Sequence, residues 1–507
     1  MQWVACLHEH LVDDIIVGAA LRRRRPAGPK GTAWACPLQF AKATDCRYCR
    51  EMAVSIRGYV GNAQIEHRET SILSDRPSEW NKYLLGSVLF ISLLIGGGTR
   101  SGLYTDTLIE VAAIVSAAAV FSPASGHRIP HYVLWLLIFA VALIVLQIVP
   151  LPAAIFNGLR PELLLGDPWI GENRFRFVSV GVGRTVECLL YFVSASAFFL
   201  AVLRLRAEQV AALLPFFFMG VICHGLAGAI QYSLSTDIAI VGLLPFTINA
   251  GLFANANHFS ALLFVSIPFV VYYGLFRGHL WSGSIGLVAI LLLLLAAGSR
   301  AGALIGLAIT VLSVIFLSAR SRASGFSVLL ALVGLSIYTL GAWTKISTQV
   351  LDPAFGRGEL ARTTIEGIKD NWATGVGFGN FQKAYQIYER ESMLFQQYVN
   401  HAHNDYLEIA FEGGVPVVLL LAGYFALLFS ALVRIRRDPL QKAAILSVTF
   451  LLIHSLVDYP LRTAALAITF AYLNAVIFHT GFAARLAQKS EFDHNGEKLL
   501  VPAGTPS

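Results

Sequence analysis

The sequence predicts an all-α polytopic membrane protein, with about twelve transmembrane helices and one large periplasmic loop domain of short helices. Hydrophobic residues make up 56% of the 507 residues and charged residues only 14%, whereas soluble domains are about a quarter charged. The apolar residues fall in blocks of roughly 15 to 23, close to the length of a helix that crosses a bilayer. The blocks show no period-2 alternation, so helices are favoured over the strands of a barrel.

The chain begins with a polar and basic segment, residues 1–82. Four arginines at 22–25 are followed by proline and glycine rather than by an apolar stretch, so we do not expect a secretory signal peptide. We expect a disordered cytoplasmic tail here, with a start of translation at Met52 as an alternative. The net charge of +7 does not indicate nucleic acid as a partner, because much of the excess lies in chain ends and short loops.

Twelve apolar segments follow, and each is interpreted as a transmembrane span. Their approximate limits are 83–98, 106–121, 131–150, 185–203, 209–231, 257–276, 284–298, 301–318, 326–343, 414–433, 441–457 and 463–481. The first nine spans therefore occupy residues 83–343 and the last three occupy 414–481. Residues 482–507 form a second tail, which we expect to be cytoplasmic.

The distribution of lysine and arginine predicts the orientation, because short cytoplasmic loops carry these residues in excess. One set of connections is basic and holds Arg128, Arg204, Arg206, Arg277, Arg320, Arg322, Arg434, Arg436, Arg437 and Lys442. We assign this set to the cytoplasmic side, which places the two long connections, 151–184 and 344–413, outside. The segment 344–413 is interpreted as the loop domain, with glycine-rich turns at 375–379 and a polar helical stretch near 382–398.

The most polar stretch beside a span is NHAHNDYLEIAFEGG, residues 400–414. Its residues at helical spacing, which would share one face of a helix, are His401, Asp405, Glu408 and Glu412. His403 points elsewhere, and Asn400 or Asn404 could cap the helix. Three interpretations remain open: a solvated helix start, a general base, and a metal site built on His-X-His-X-Asp. Histidine suits a base because its unperturbed pKa lies near 6.5.

Several arginines lie on the predicted outer side. Arg300 stands in the tight turn GSRAG at 298–302, between two apolar spans. It is either a snorkelling interfacial residue or a clamp for phosphate oxygens, which a planar guanidinium holds two at a time. Arg184, at the outer end of the fourth span, and Arg357 and Arg362, in the loop domain, add to this charge. Together these arginines favour an anionic, lipid-linked substrate.

Two more polar groups stand at predicted span ends. They are Asn255, Asn257 and His258 at the start of the sixth span, and His454, Asp458 and Arg462 between the eleventh and twelfth. Helical spacing relates His454 to Asp458, and Asp458 to Arg462. These residues either form hydrogen bonds between helices or support a site built around residues 400–414.

Four segments give the chain a resemblance to a known family. They are ANANHFSALL at 254–263, GSRAG at 298–302, RTTIEGIKDNW with TGVGFGNF at 362–381, and HNDYLEIAFEGGVP at 403–416. Through them the chain resembles the O-antigen ligase and polysaccharide polymerase family over roughly residues 180–480. The resemblance implies inverting glycosyl transfer on the periplasmic face, without a metal ion or another cofactor.

The resemblance also implies substrates and residue roles. The donor would be a glycan on undecaprenyl diphosphate, and the acceptor lipid A-core, another lipid-linked glycan or a protein hydroxyl. His403 would be the base, and Arg300 would hold the diphosphate with the help of Arg184 or Arg362. The supporting residues would be His401, Asn404, Asp405, Asn257, His258, Asp458 and Arg462.

The expected location is the bacterial inner membrane, where lipids surround the spans and the site faces the periplasm. A transporter of lipid-linked glycans is the alternative from a different class. Transporters place ionisable groups at mid-span near broken helices. This chain concentrates them at outer span ends and in one long loop, which favours the enzyme.

Overall fold

A computed structural model of the protein describes residues 79–100, 102–121, 128–152, 175–234, 249–318, 334, 336, 338–341, 355–389, 399–434 and 438–482. The two predicted tails and the predicted span 326–343 lie largely outside these residues, as does Met52. The C-terminal half of the polar helical stretch expected near 382–398 also lies outside them.

Fourteen helices and one small sheet form the described part. The helices are α1 Asn81–Ile95, α2 Tyr104–Val120, α3 His131–Ile148, α4 Val182–Arg204, α5 Ala207–Ala211, α6 Leu214–Leu234, α7 Ala256–Phe276, α8 Leu280–Ala297, α9 Arg300–Ser318, α10 Phe355–Asp370, α11 Phe381–Tyr388, α12 Asp405–Arg434, α13 Pro439–His454 and α14 Ala464–Phe478. Every predicted span other than 326–343 overlaps one of them. Strands β1 (Leu151–Pro152) and β2 (Phe175–Arg176) pair antiparallel, a small departure from the all-α prediction.

Seven helical segments in the described residues are long and apolar enough to cross a membrane. They are His131–Ile148, Val182–Arg204, Ala207–Leu234, Ala256–Gly274, Leu280–Ala297, Arg300–Leu317 and Asp405–Arg434. Helices α1, α13 and α14 are apolar but shorter. The prediction of a polytopic helical membrane protein is confirmed in this form, whereas the number of twelve spans stays a prediction.

Side chains of the sequence fix where several helices begin. The Asn404 side chain accepts hydrogen bonds from the backbone of Tyr406 (3.0 Å) and Leu407 (3.1 Å), so Asn404 caps α12 as predicted. Asn255 caps α7 by accepting from Asn257 N at 2.8 Å. Asp438 caps α13, where Pro439 occupies the first turn and needs no hydrogen-bond acceptor. The caps at α7 and α12 bring their polar neighbours to defined positions.

Helix α7 is the central helix of the described bundle. Within its apolar window 78% of the residues are buried, against 17–44% for the other candidate spans. It packs on α8, α9 and α13, and small residues allow the close approach: a Cβ on Gly302 of α9 would lie 2.5 Å from the Ser260 Cβ. Because α7 is rigidly held on these sides, the residues at its start have fixed positions.

The predicted loop domain has a small hydrophobic core of its own. Its buried members are Leu360, Val376, Phe381, Ala384, Tyr385, Ala402 and Phe411. They come from α10, α11, the segment between them, the turn before α12 and the first turns of α12. At Gly414 the backbone of α12 breaks, with φ 62° and ψ −159°, so the first turns of α12 belong to this core and the rest continues into the bundle.

Candidate active site

Three chain segments meet at the start of α7: the first turn of α7, the turn before α12, and the connection between α13 and α14. The Asp405 amide donates to the Ser455 carbonyl (2.9 Å), and the Ser455 hydroxyl donates to the Asp405 carboxylate (2.9 Å). The Asn404 side chain donates to the Leu456 carbonyl at 2.9 Å. These bonds hold the polar stretch 400–414 against the end of α13.

His403 stands on a strained turn beside a buried carboxylate. Its φ is +48°, a region that residues other than glycine seldom adopt. Its Nδ1 lies 3.4 Å from Oδ1 of Asp458, and the His403 side chain is 31% exposed while that of Asp458 is 1% exposed. This distance is longer than that of a well-formed hydrogen bond. The residue therefore combines a partly accessible imidazole with an orienting carboxylate, as a general base requires.

Asp458 is surrounded by histidines. His258 and His454 are completely buried, and both act electrostatically on Asp458, as His403 does. Burial alone would raise the pKa of Asp458, but the contact with His403 and the electrostatic interactions with His258 and His454 hold it well below its usual range. Asp458 is therefore a carboxylate at any physiological pH, and the Tyr459 amide donates to its Oδ1 at 3.0 Å.

His401 has a different carboxylate partner. Its Nδ1 lies 2.8 Å from Oε1 of Glu408, whose Oε2 accepts the Ala402 amide at 2.8 Å. Burial would lower the pKa of His401, but the Glu408 carboxylate outweighs it and raises that pKa. The expectation that His401 lies on the helical face is wrong, because α12 begins only at Asp405. His401 reaches Glu408 from the turn that precedes the helix.

The separate partners also bear on the metal interpretation of His-X-His-X-Asp. His401 faces Glu408, His403 faces Asp458, and Asp405 bonds Ser455. The described residues contain no group of three or more His, Cys, Asp or Glu side chains arranged to hold a metal ion. The three residues of this motif therefore do not converge on one point.

Arg462 joins three carboxylates of α12. Its guanidinium lies 3.6 Å from Asp405 Oδ1, 3.4 Å from Glu408 Oε1 and 3.1 Å from Glu412 Oε2. These contacts join the segment between α13 and α14 to α12, as the interpretation of hydrogen bonding between helices expects. Only 19% of the Arg462 side chain is exposed, and the carboxylates are almost wholly buried. Removing one member would leave uncompensated buried charge, so this network is a rigid support rather than an open binding group.

Arg300 is the first residue of α9, and its side chain is exposed. The contact between Gly302 and Ser260 places the start of α9 beside the start of α7. Arg300 and His258 thus lie at the same end of the bundle. Within the described residues the Arg300 side chain makes no hydrogen bond or ion pair.

The other predicted arginines are also exposed. Arg184, in the first turn of α4, pairs with Glu187 at 3.1 Å, and both side chains are about half exposed. Arg362 lies on the exposed face of α10 and forms no ion pair inside the described ranges. Arg357, on the same helix, acts electrostatically on His454. The arginines therefore lie on elements around the histidine cluster, without joining its hydrogen bonds in the way that Arg462 does.

The glycine-rich turn at 375–379 is folded on its own backbone and on Glu412. Gly377 donates to the Glu412 carbonyl and Gly379 to the Glu412 carboxylate, both at 2.9 Å, while Phe378 donates to the side chain of Gln147 at 2.9 Å. These backbone amides already donate to acceptors within the protein. The segment is a structural turn, as the sequence indicates, and not a cradle for phosphate.

Residues 285–422 match the family model described as O-antigen ligase (Wzy_C). Over this segment the chain is similar to O-antigen ligases. The family resemblance seen in the sequence is confirmed over these residues. No curated protein matches the chain.

The segment that matches the O-antigen ligase model contains only part of the cluster. Within 285–422 lie Arg300, Arg362, His401, His403, Asn404 and Asp405. Asp458 and Arg462 come from the segment between α13 and α14, and His258 comes from α7. Asn257, next to His258, is partly buried and contributes its backbone to the cap of α7. The contacts of His403 and Glu408 therefore depend on chain segments outside the matched domain.

Two residues of this region were missed by sequence reasoning. Tyr459 is 4% exposed and packs against His258, His401 and His403. Gln147, at the end of α3, donates to the Glu412 carbonyl at 2.9 Å. Gln147 carried a signal, since it is a lone polar side chain near the end of an apolar span. For Tyr459 the only signal in the sequence was its position between Asp458 and Arg462.

Proposed function

We propose that the protein is a membrane glycosyltransferase of the O-antigen ligase type. It moves a glycan from undecaprenyl diphosphate to an acceptor hydroxyl on the periplasmic face of the inner membrane. His403 supports this proposal most strongly. It lies within the segment that matches the O-antigen ligase model, and its partly exposed imidazole stands on a strained turn and faces the buried Asp458 carboxylate from outside that segment. Strained backbone of this kind is found preferentially at functional sites.

In the proposed reaction, His403 acts as the general base. Because Nδ1 faces the Asp458 carboxylate, Nδ1 carries the proton and Nε2 accepts the proton of the acceptor hydroxyl. The acceptor oxygen attacks the anomeric carbon from the side opposite the diphosphate, which inverts the configuration. The bond from that carbon to the phosphate oxygen breaks, and its electron pair leaves with the diphosphate. Asp458 stabilises the imidazolium that forms.

The leaving diphosphate needs stabilisation of its growing negative charge. Arg300 would hold it from the start of α9, with Arg184 and Arg362 assisting from α4 and α10. All three guanidinium groups are exposed, and fixed cations can supply this charge. No metal ion or other cofactor takes part in the proposed mechanism.

The acceptor distinguishes three forms of this activity. A strain that lacks the gene would lose glycan on lipid A-core if the protein is a ligase, and would make only short chains if it is a polymerase. It would lose glycan from proteins if the acceptor is a protein hydroxyl. Analysis of these three products in the deletion strain assigns the acceptor.

His403→Ala is the direct test of the base. We expect its transfer rate to fall by about a hundred- to ten-thousand-fold, with normal amounts of inserted protein on an immunoblot. His401→Ala should lose less activity, because His401 is turned toward Glu408. His131→Ala, at an exposed histidine that begins α3, is the matched control and should behave as wild type. The assay is transfer from purified lipid-linked glycan by protein in proteoliposomes.

Wild-type product from the His403→Ala protein would show that the base is elsewhere. EDTA treatment of the wild-type protein is a separate reaction in the same assay. If EDTA alone stops transfer, the His401, His403 and Asp405 segment takes part in metal binding, and the mechanism above is wrong.

Arg300→Lys tests the binding of the diphosphate. Lysine keeps the charge but cannot donate two parallel hydrogen bonds, so we expect transfer to fall by roughly 10- to 100-fold, the worth of one charged hydrogen bond. Arg128→Lys, at an exposed residue before α3, is the control and should be neutral. Wild-type transfer by Arg300→Lys would favour a snorkelling role instead.

A further inference from the structure

Tyr459 lies at the centre of the histidine cluster, and its side chain is buried. Its ring centroid is 4.2 Å from that of His401 at an interplanar angle of 31°, and 4.9 Å from that of His403 at 74°. The buried ring of His258 meets it edge-on, also at 4.9 Å. One aromatic ring thus contacts histidines from two of the converging segments.

The polar atoms of Tyr459 connect the same segments. Its hydroxyl lies near the side chains of Asn255, before α7, and Asn400, before α12, and interacts with both. Its backbone amide donates to Oδ1 of Asp458 at 3.0 Å, the oxygen that faces His403. A buried hydroxyl is costly unless it is bonded, and here both partners belong to segments that carry histidines of the cluster.

His403 has little else to fix its ring. Its Nδ1 contact with Asp458 is long. Apart from that contact and the ring of Tyr459, its side chain makes no ring contact or hydrogen bond in the described residues. Its backbone stands at a positive φ, so the turn needs support from outside. The edge-to-face contact with Tyr459 is the packing that defines the direction of the imidazole.

We propose that Tyr459 is the positioning residue that holds the His403 imidazole against Asp458 and turns its Nε2 toward the acceptor. This inference rests on the proposed function, in which His403 is the base. Tyr459 does not touch the reacting atoms in this scheme. It acts through the ring of His403, through the amide bond to Asp458 and through the two asparagine contacts of its hydroxyl.

Two substitutions separate the ring from the hydroxyl. Tyr459→Leu removes the ring, and we expect kcat to fall by about 100-fold with little change in KM, as for a misplaced catalytic group. Tyr459→Phe keeps the ring and loses the asparagine contacts, and its kcat should fall by about 10-fold. In both variants the limb of the pH–rate profile that reports the base should shift, because the His403–Asp458 contact loosens.

Tyr424→Phe is the matched control, because the Tyr424 hydroxyl donates to Asn474 Oδ1 at 2.8 Å between the interior turns of α12 and α14, not at the helix ends where the cluster lies. It should keep the wild-type kcat and pH profile even if its thermal unfolding midpoint falls. The positioning role is rejected if Tyr459→Phe keeps the wild-type kcat and pH profile, whether or not Tyr459→Leu folds. It is also rejected if the kcat of Tyr459→Leu falls only in proportion to the loss of folded protein.

The same series separates this inference from the proposed function. An active His403→Ala protein would show that His403 is not the base, and the positioning role of Tyr459 would then be rejected as well. An inactive His403→Ala protein beside fully active Tyr459 variants would reject only the role of Tyr459.

Discussion

His401 and His403 are two positions apart, and they differ in their exposure and in their distance from a carboxylate partner. The His401 side chain is 16% exposed and lies 2.8 Å from the Glu408 carboxylate. The His403 side chain is 31% exposed and lies 3.4 Å from the Asp458 carboxylate. A base must be able to take up a proton from outside and give it back. His403 has the accessibility for this, and His401 has the strong pairing that suits a fixed cation within the carboxylate network.

The pairing of His401 predicts a dependence of stability on pH. The pKa of His401 is raised from 6.5 in the folded protein, so the protonated form favours folding. This stabilisation is fully present below about pH 6.5 and is lost as the pH rises through the folded pKa. We expect the thermal unfolding midpoint of the wild-type protein in detergent to fall over that range, and that of His401→Gln to lack this part of the fall.

The groups that face His401 are Glu408, Glu412 and Arg462, with the ring of Tyr459. His131→Gln, at an exposed histidine, is the control and should retain the wild-type pH dependence. An equal fall in the His401→Gln and wild-type proteins would mean that another group causes it, and the assignment of a charged His401 would be wrong.

At the scale of the element, α12 is two helices joined at Gly414. The turns before this residue carry Asp405, Glu408 and Glu412 toward Arg462, and the turns after it are apolar. The φ and ψ of Gly414 are accessible in practice only to glycine. Val415 donates to the Trp372 carbonyl at 2.7 Å across the break, so the break also fixes the loop domain on the bundle.

Gly414→Ala should therefore destabilise the protein and reduce transfer. The backbone strain costs about 1–3 kcal/mol, and the new Cβ would lie 2.7 Å from the Trp372 carbonyl oxygen and 2.8 Å from the Gly375 amide nitrogen. Gly423→Ala in the same helix is the control, since its Cβ would meet only a Leu136 methyl at 3.9 Å. Chemical denaturation of both variants measures the difference. Equal stability would show that the break adapts to a side chain.

The sequence predicted helices better than contacts, for a physical reason. An apolar run can be read from residues that are adjacent in the sequence, so the predicted spans overlap the observed helices. The partner of Arg462 depends on the direction in which the chain turns after α13. Sequence spacing does not give that direction, and the fold brings the Arg462 guanidinium to Glu412. Tyr459 was missed because a tyrosine beside an apolar span is usual in any membrane protein.

At the scale of the whole molecule, the site is defined by which helix ends lie together. Helix α7 has 21 residues and is about 31 Å long, enough to separate His258 at its start from Arg277 after its end by a bilayer. Helix α8 returns over a similar length, and α9 then begins with Arg300 beside the start of α7. If α7 and α8 cross the membrane, the histidines and Arg300 share one side, and Arg277 lies on the other.

This geometry, with the basic connections on the Arg277 side, predicts that the loop domain is periplasmic. Lys369→Cys on the exposed face of α10 and Arg277→Cys are a matched pair, each in a protein whose six native cysteines are replaced. In intact cells with a permeabilised outer membrane, an impermeant thiol reagent should label Lys369→Cys, because α10 belongs to the domain that carries His403. It should label Arg277→Cys only after lysis. The reverse pattern would place the cluster in the cytoplasm, where a donor on the periplasmic leaflet cannot reach it, and the proposed reaction would be excluded.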